Sequence, residues 1–343
     1  MNKFKKVYIL TPRIKTGGPE SLHQLASTLI ELGIETYLIY IKTNKDISNL
    51  YPQYSNIKII KECQIEDSSN NLLIVPETFA EYIYKYNNIK KAIWWLSLDY
   101  YLLSQINYRT NYILKKYNLH YIFSFLIRGL LILSRKTKIK TFKFGDDKNQ
   151  IFHFYNCEYV KKFLLENGIN EENMLYLCGP ISKEYYNAQV NLNIKENIIA
   201  YNPAKGYEFT QKIINRAKEL NLNINFIPIQ NMSTKEVVDL LLKSKLYIDF
   251  GYFPGPERIP RQAVLLYNNL ITSNIGSASN SIDVTIPDEF KFPIKEDLID
   301  TIIQKILFLL ENYESNISLF ETYRKKVMDQ KKIFIENLII FFK

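Results

Sequence analysis

What most constrains this chain is an alternation of strand and helix patterns that runs through both of its halves. Short apolar runs at 6–10, 36–41, 72–75 and 92–96 sit among stretches with helical periodicity, such as Leu22, Leu25, Ala26, Leu29 and Ile30. The alternation resumes with a strand at 198–201, a helix at 209–220, a strand at 224–228 and a helix at 234–243. Strands joined through helices predict parallel sheets, because a parallel pair needs a long crossover and a helix supplies it. An α/β chain of 343 residues has enough length for two Rossmann-like domains, each burying its own core. The polar run 182–196 is the natural linker, which gives a first domain at 1–181 and a second at 182–310. The remaining 311–343 read as helix.

The stretch 246–281 carries the most chemistry. A strand at 246–250 runs into a loop rich in Gly and Pro, a short helix opens near Pro260, and a second strand follows at 270–272. Ligands of open α/β sheets bind outside the carboxyl ends of the strands, so the loop with Glu257, Arg258 and Arg261 should line a site. Arginines near a helix start, where backbone N–H groups point outward, suit a phosphate. In the first half, Asp99 follows the strand at 92–96 and is the first candidate for a general base or acceptor anchor. Glu77 and Glu20 are its rivals, and Glu20 also suits a helix N-terminus electrostatically. His153, inside an apolar strand pattern, reads as a packed histidine, and Trp94 and Trp95 as core and cleft wall.

Four stretches together resemble one family. GPERIPRQA at 255–263, with the Gly276-Ser277 turn beyond it, is similar to the donor-binding segment of GT-B glycosyltransferases, in particular a bacterial surface-polysaccharide group with a GPERIPREA-like signature. TGGPE at 16–20, KKAIWWLSLDY at 90–100 and AYNPAKG at 200–206 match that reading in order. The resemblance implies two Rossmann-like domains facing a cleft, with the terminal helix of 311–343 crossing back onto the first. It implies a nucleotide-sugar donor held by Gly17, Gly18, Asn202, Lys205, Glu257, Arg258, Arg261, Gln262 and Ser277, with Asp99 or Glu20 acting on a glycan or lipid-linked acceptor. Lys205 matches the family lysine on the donor phosphates. No DxD motif is convincing, so no metal is expected, and no cofactor beyond the donor itself.

Two positions depart from the wider family. Its retaining members carry two glutamates separated by seven residues, the second binding the ribose; here that second place is Gln262, and Glu257 precedes it by only five positions. Glutamine can bond a ribose hydroxyl, but without the charge that strengthens such a bond. The arginine usually found five residues before the phosphate-binding lysine is Ala200 here. A nucleotide-sugar epimerase of related fold, or a nucleotide-binding protein without turnover, therefore stands as an alternative.

Charge narrows the partners. Residues 100–145 contain no Asp or Glu but nine cations (Arg109, Lys115, Lys116, Arg128, Arg135, Lys136, Lys138, Lys140 and Lys143), which equals the net charge of +9. The same segment holds YIFSFLIRGLLIL at 121–133, too short for a transmembrane helix of about 20 residues. Cations beside an apolar run predict a peripheral contact with anionic lipid, on the cytoplasmic face of the cell membrane. No nucleic-acid motif accompanies the charge. Gly17-Gly18 lacks GxGxxG spacing, which argues against a nicotinamide or flavin enzyme. Three cysteines without CxxC spacing predict neither a disulfide framework nor a zinc site, and the apolar run 7–10 is too short for an export signal.

Overall fold

A computed structural model describes residues 2–41, 48–134, 142–145 and 151–343. They form two compact units: residues up to 156 with 160–179 and 335–343, and residues 157–159 with 180–334.

The first unit is built on a seven-stranded parallel sheet. Its elements are β1 (Val7–Pro12), α1 (Gly17–Glu31), β2 (Thr36–Ile41), β3 (Lys58–Ile59), β4 (Leu72–Pro76), β5 (Lys90–Trp95), α2 (Leu98–Ser104), α3 (Ile106–Lys116), α4 (Ser124–Leu133), β6 (Ile151–Tyr155), α5 (Glu158–Glu166) and β7 (Met174–Tyr176). The order is β3-β2-β1-β4-β5-β6-β7. The runs that read as uniformly apolar are the central strands: Ile9, Leu10, Ile74, Val75, Ile93 and Phe154 are fully buried. Trp94 and Trp95 are both core, so Trp95 is no wall of an open cleft; its indole donates to His153 Nδ1 at 3.0 Å. His153 is the packed histidine expected, and burial pushes its pKa down to about 4. Tyr101, Phe142, Phe144 and Phe163 close around the same tryptophan.

The second unit has a five-stranded parallel sheet in the order β12-β11-β10-β8-β9. It comprises α6 (Lys183–Tyr186), β8 (Glu196–Tyr201), α7 (Tyr207–Glu219), β9 (Asn225–Pro228), α8 (Thr234–Lys243), β10 (Ser244–Asp249), α9 (Arg258–Leu265), β11 (Asn269–Ser273), β12 (Lys291–Phe292), α10 (Ile299–Glu311), α11 (Tyr313–Asn316) and α12 (Glu321–Phe342). Helix α8 is set by a capping box, Ser233 Oγ accepting from Glu236 N while the Glu236 side chain accepts from Ser233 N. At the other end of the sheet Lys195 donates to the carbonyls of Leu241, Ser244 and Leu266 at 2.7–2.9 Å, satisfying chain ends behind α8 and α9.

The structure divides the terminal segment 311–343. Phe320, Tyr323 and Val327 lie in the second unit's core. Only the last turns of α12 belong to the first unit, where Phe342 packs on Phe4 and Asn337 Nδ2 donates to Tyr176 O at 2.8 Å. The aromatic and aliphatic residues at that end supply the docking expected of a returning helix. Strand β7 is short, ending at Tyr176, ahead of the Gly179-Pro180 step into the second unit.

Candidate functional site

Strand order locates the site in the second unit. From β8 the chain crosses to β9 on one side and to β10 on the other, so the β8–β10 boundary is the switch point at which strand-end loops part and leave a crevice. Tyr201 and Ile248 are register partners there, and Asp249 pairs with Thr272 of β11. The three loops after β8, β10 and β11 therefore start level with one another.

The middle loop, 250–257, is clamped by its neighbours through glycine. Gly206, at φ +63°, is packed so closely that a Cβ there would lie 2.3 Å from Phe250 O. On the far side Gly276, at φ +68°, would place a Cβ 2.1 Å from Phe253 O. Only glycine allows both the left-handed backbone and the approach. Hydroxyls complete the clamp: Ser273 Oγ donates to Gly251 O at 2.5 Å and Ser277 Oγ to Gly255 O at 2.7 Å, while Ser277 N donates to Phe253 O.

On this base stand the charged groups. Lys205 Nζ lies 2.8 Å from Glu257 Oε1, so GPERIPRQA and AYNPAKG, read separately in the sequence, meet in an ion pair. Glu257 is the N-cap of α9, yet its side chain makes no cap bond to the helix. Arg258 opens α9 beside it, half-buried. Asn202 turns its loop, Oδ1 accepting from Ala204 N at 3.0 Å. Gln262, also half-buried, follows Arg261 on α9.

Two expected donor ligands are turned to other work. Arg261 is buried: Nε and Nη2 donate to the carbonyls of Glu257 and Pro256, and Nη1 donates to Gln330 Oε1 at 2.8 Å. The Arg258/Arg261 pair thus shares no open face, because the three-residue spacing carries the second arginine round toward α12. Ser277 is fully buried and spends its hydroxyl on the loop.

Asp249 is the residue sequence reasoning missed. It ends β10 nearly fully buried, accepting from Tyr247 Oη at 2.9 Å and Gly251 N at 2.8 Å. Burial raises its pKa to about 6; the Gly251 and Tyr247 bonds oppose that, Glu257 adds to it and Lys205 opposes it. The signal was present, a carboxylate at a strand end, and it is the same signal that singled out Asp99.

In the first unit the switch point lies between β1 and β4. Gly17 and Gly18 are not loop residues but open α1, and a Cβ on Gly18 would only touch Leu96 at 3.7 Å. Their value is an exposed helix start rather than a required glycine turn. Glu20 lies in the same first turn and Asp99 in the first turn of α2, both half-buried. Glu77 is buried, with Oε2 accepting from Leu96 N at 2.9 Å, which fixes the chain leaving β5 toward Asp99. Among the described residues no three His, Cys, Asp or Glu side chains are grouped as a metal site.

No family model matches the chain, and no curated protein matches it in sequence. Solved structures do. A glycosyltransferase from Rickettsia africae superposes with TM-score 0.64 at 14% identity over 98% of both chains. A TarM variant of S. aureus, crystallised with UDP, gives 0.62 at 10% over 98% and 99%. The pneumococcal O-GlcNAc transferase GtfA, solved with UDP and GlcNAc, gives 0.59 at 8% over 98% and 99%. At such identities the likeness establishes the fold: this chain has the two-sheet GT-B architecture throughout its length.

Proposed function

We propose that this chain is a glycosyltransferase that moves a sugar from a nucleotide-sugar donor to a growing bacterial surface glycan or its lipid-linked precursor. The observation that carries it is the ion-paired Lys205 at the switch point of the second sheet, beside the start of α9. Transfer requires stabilising a departing diphosphate, and a lysine, Arg258 and a helix N-terminus supply that charge without a metal. Asn202, on the loop of Lys205, and Gln262, one turn along α9 from Arg258, suit the nucleoside. Gly17 and Gly18, as an open helix start, suit an anionic part of donor or acceptor. Asp99 and Glu20 are the carboxylates we assign to the acceptor hydroxyl. Arg261 and Ser277 hold the loop on which the donor rests, Arg261 through α12.

The acceptor side is proposed to meet anionic lipid on the inner face of the cell membrane. The described residues from α3 to 145 support this: Tyr121 and Ile122 before α4 and Phe125 and Leu133 on it are each at least 73% exposed, and Arg109, Lys115, Lys116, Arg128 and Lys143 accompany them. Exposed apolar area of this kind with one sign of charge suits a headgroup boundary. Arg135, Lys136, Lys138 and Lys140 lie outside the described residues. No described helix is long and apolar enough to cross a membrane.

Thermal-shift titration with UDP, GDP, CMP and dTDP tests the donor reading, because a nucleotide that binds the native state raises its melting temperature. Stabilisation by one of the four is expected, followed by sugar transfer only when an acceptor is added. Turnover of the nucleotide sugar without an acceptor would indicate epimerisation, and stabilisation with no turnover a binding protein.

A further inference from the structure

Glu257 occupies an unusual place for an acidic residue. At the N-cap of a helix a carboxylate ordinarily turns back onto the first N–H groups, but Glu257 leaves them and reaches Lys205. Among the described residues it is the one carboxylate within ion-pair distance of that lysine. Below the pair, Asp249 is fixed by Tyr247 and Gly251 and cannot leave. A Cβ on Gly251 would lie 2.5 Å from Lys205 Cβ and 3.4 Å from its Cδ, so the lysine stem is packed against the loop. Glu257 differs: its side chain is about one-fifth exposed and, among the described residues, makes no other hydrogen bond or ion pair, so it can rotate toward solvent.

We propose that Glu257 is a resident counter-anion for Lys205, which holds the lysine in place while the site is empty and is exchanged for a donor phosphate oxygen when the nucleotide binds. The proposal rests on the donor reading above. The exchange is one of anions on a fixed cation. An oxygen of Glu257 at 2.8 Å stands where a phosphate oxygen would accept the same ammonium, and both cannot be there. With Asp249 and Glu257 both ionised, Lys205 is already over-neutralised, so a diphosphate entering beside an undisplaced Glu257 would meet net repulsion. Displacement removes one negative charge from the contact and frees the carboxylate to cap α9. Glu257 thereby lowers donor affinity and gives the product nucleotide a route out, the returning carboxylate replacing it on Lys205.

The test is calorimetric titration of the full chain with UDP and, separately, with inorganic pyrophosphate, for wild type, Glu257→Gln, Lys205→Ala and the double variant, with melting curves for each. The expectation is that Glu257→Gln binds UDP roughly tenfold more tightly, because a competing ion pair and a repelling charge are both gone. Lys205→Ala should bind more weakly, and adding Glu257→Gln to it should recover a clearly smaller gain, since only the repulsion remains to be relieved. Pyrophosphate should follow the same ranking if the effect belongs to the phosphates. Unchanged or weaker UDP binding by Glu257→Gln, with intact melting, overturns the exchange while leaving the donor site standing. An equal gain with and without Lys205 also overturns it. If wild type and Glu257→Gln bind none of UDP, GDP, CMP, dTDP or pyrophosphate, the donor reading itself fails, and this proposal fails with it.

Discussion

Replacing Gly206 with alanine tests whether the loop clamp is as tight as it is drawn. The residue sits at φ +63°, and the left-handed region costs an L-residue with a Cβ roughly 1–2 kcal/mol. The added methyl would also lie 2.3 Å from Phe250 O, 2.4 Å from Phe250 C and 2.7 Å from Gly251 N, all backbone atoms that cannot rotate aside. One of the two loops must move, and overpacking of this kind costs about 1–3 kcal/mol more. The sum of about 2–5 kcal/mol is a large share of a typical domain's stability. For a unit of this size, each kcal/mol lowers the melting temperature by about 2–4 °C.

Function should suffer beyond stability, because Lys205 is the adjacent residue and the loop that moves carries Glu257. Displacements on the order of 1 Å can cost about a hundredfold in rate. The control is Gly33→Ala, at φ +78° with nothing within 4 Å of the new methyl, which isolates the backbone cost without the collision. Chemical denaturation of both variants, with UDP binding to each, is the assay. Gly206→Ala should be the less stable by at least about 1 kcal/mol and the weaker binder. Equal stability of the two variants, with unchanged nucleotide affinity in Gly206→Ala, would show that the loops after β8 and β10 are not in contact as described.

Lys205→Ala and Arg258→Ala should each lower single-turnover transfer by about one to three orders of magnitude with the melting temperature nearly unchanged, whereas Arg261→Ala should appear chiefly as lost stability. Asp249 has its folded pKa raised from 3.8 to about 6, so its ionised form costs stability above pH 6 and the cost disappears below the unfolded value. Asp249→Asn should therefore lose, relative to wild type, roughly 2 kcal/mol of stability advantage between pH 8 and pH 4, measured by urea denaturation at both; a pH-independent difference would mean the group is not buried as a carboxyl. Phe125→Gln with Leu133→Gln should release the protein from phosphatidylglycerol vesicles in a flotation assay, at about 1.5 kcal/mol per residue withdrawn from the interface, and equal flotation would count against a lipid face. Transfer should survive EDTA; activity abolished by the chelator and restored by Mn²⁺ would require a metal mechanism instead.

The fold was legible because its signals are local and repeated. β2 and α8 have the bounds that periodicity gives them, and the parallel sheets follow from uniformly apolar strands between helices. The composition of the site was legible in part. Lys205 and Glu257 stood out as charged residues on strand-end loops, and switch-point topology does bring them together. What did not show was orientation. Arg258 and Arg261 look equivalent in a line of text, but a helical turn of 3.6 residues sends Arg261 inward to Gln330, and the position of Gln330 depends on a helix about seventy residues later. Ser277 likewise reads as a ligand until the fold sets it beneath Gly255. Asp249 was passed over although it carries the strand-end signal that singled out Asp99, because it stands inside the apolar run 246–250 rather than on the chain beyond it.

These placements divide the second unit's site into a part that is fixed and a part that can respond. Gly206, Gly276, Ser273, Ser277 and Arg261 all act on backbone, and each holds the 250–257 loop without offering a ligand atom of its own. At the opposite sheet end Lys195 and Asn268 tie down the carbonyls behind α8 and α9, Asn268 Nδ2 sharing Leu241 O with the lysine. With α9 secured at its far end and its loop clamped, binding energy is not consumed in ordering the site. The charged side chains are then where change can occur. Lys205, pressed on Gly251, is the fixed cation, and Glu257 is the group able to move. A scaffold that leaves one anion to be exchanged favours the more highly charged phosphate: a monophosphate, at about −1.5 to −2, already exceeds the single charge of the carboxylate, and a diphosphate exceeds it by more. UDP should accordingly bind more tightly than UMP in wild type, and both should gain affinity in Glu257→Gln, where neither has a resident carboxylate to displace. No gain for either nucleotide in Glu257→Gln would show that Glu257 takes no part in reading the phosphates.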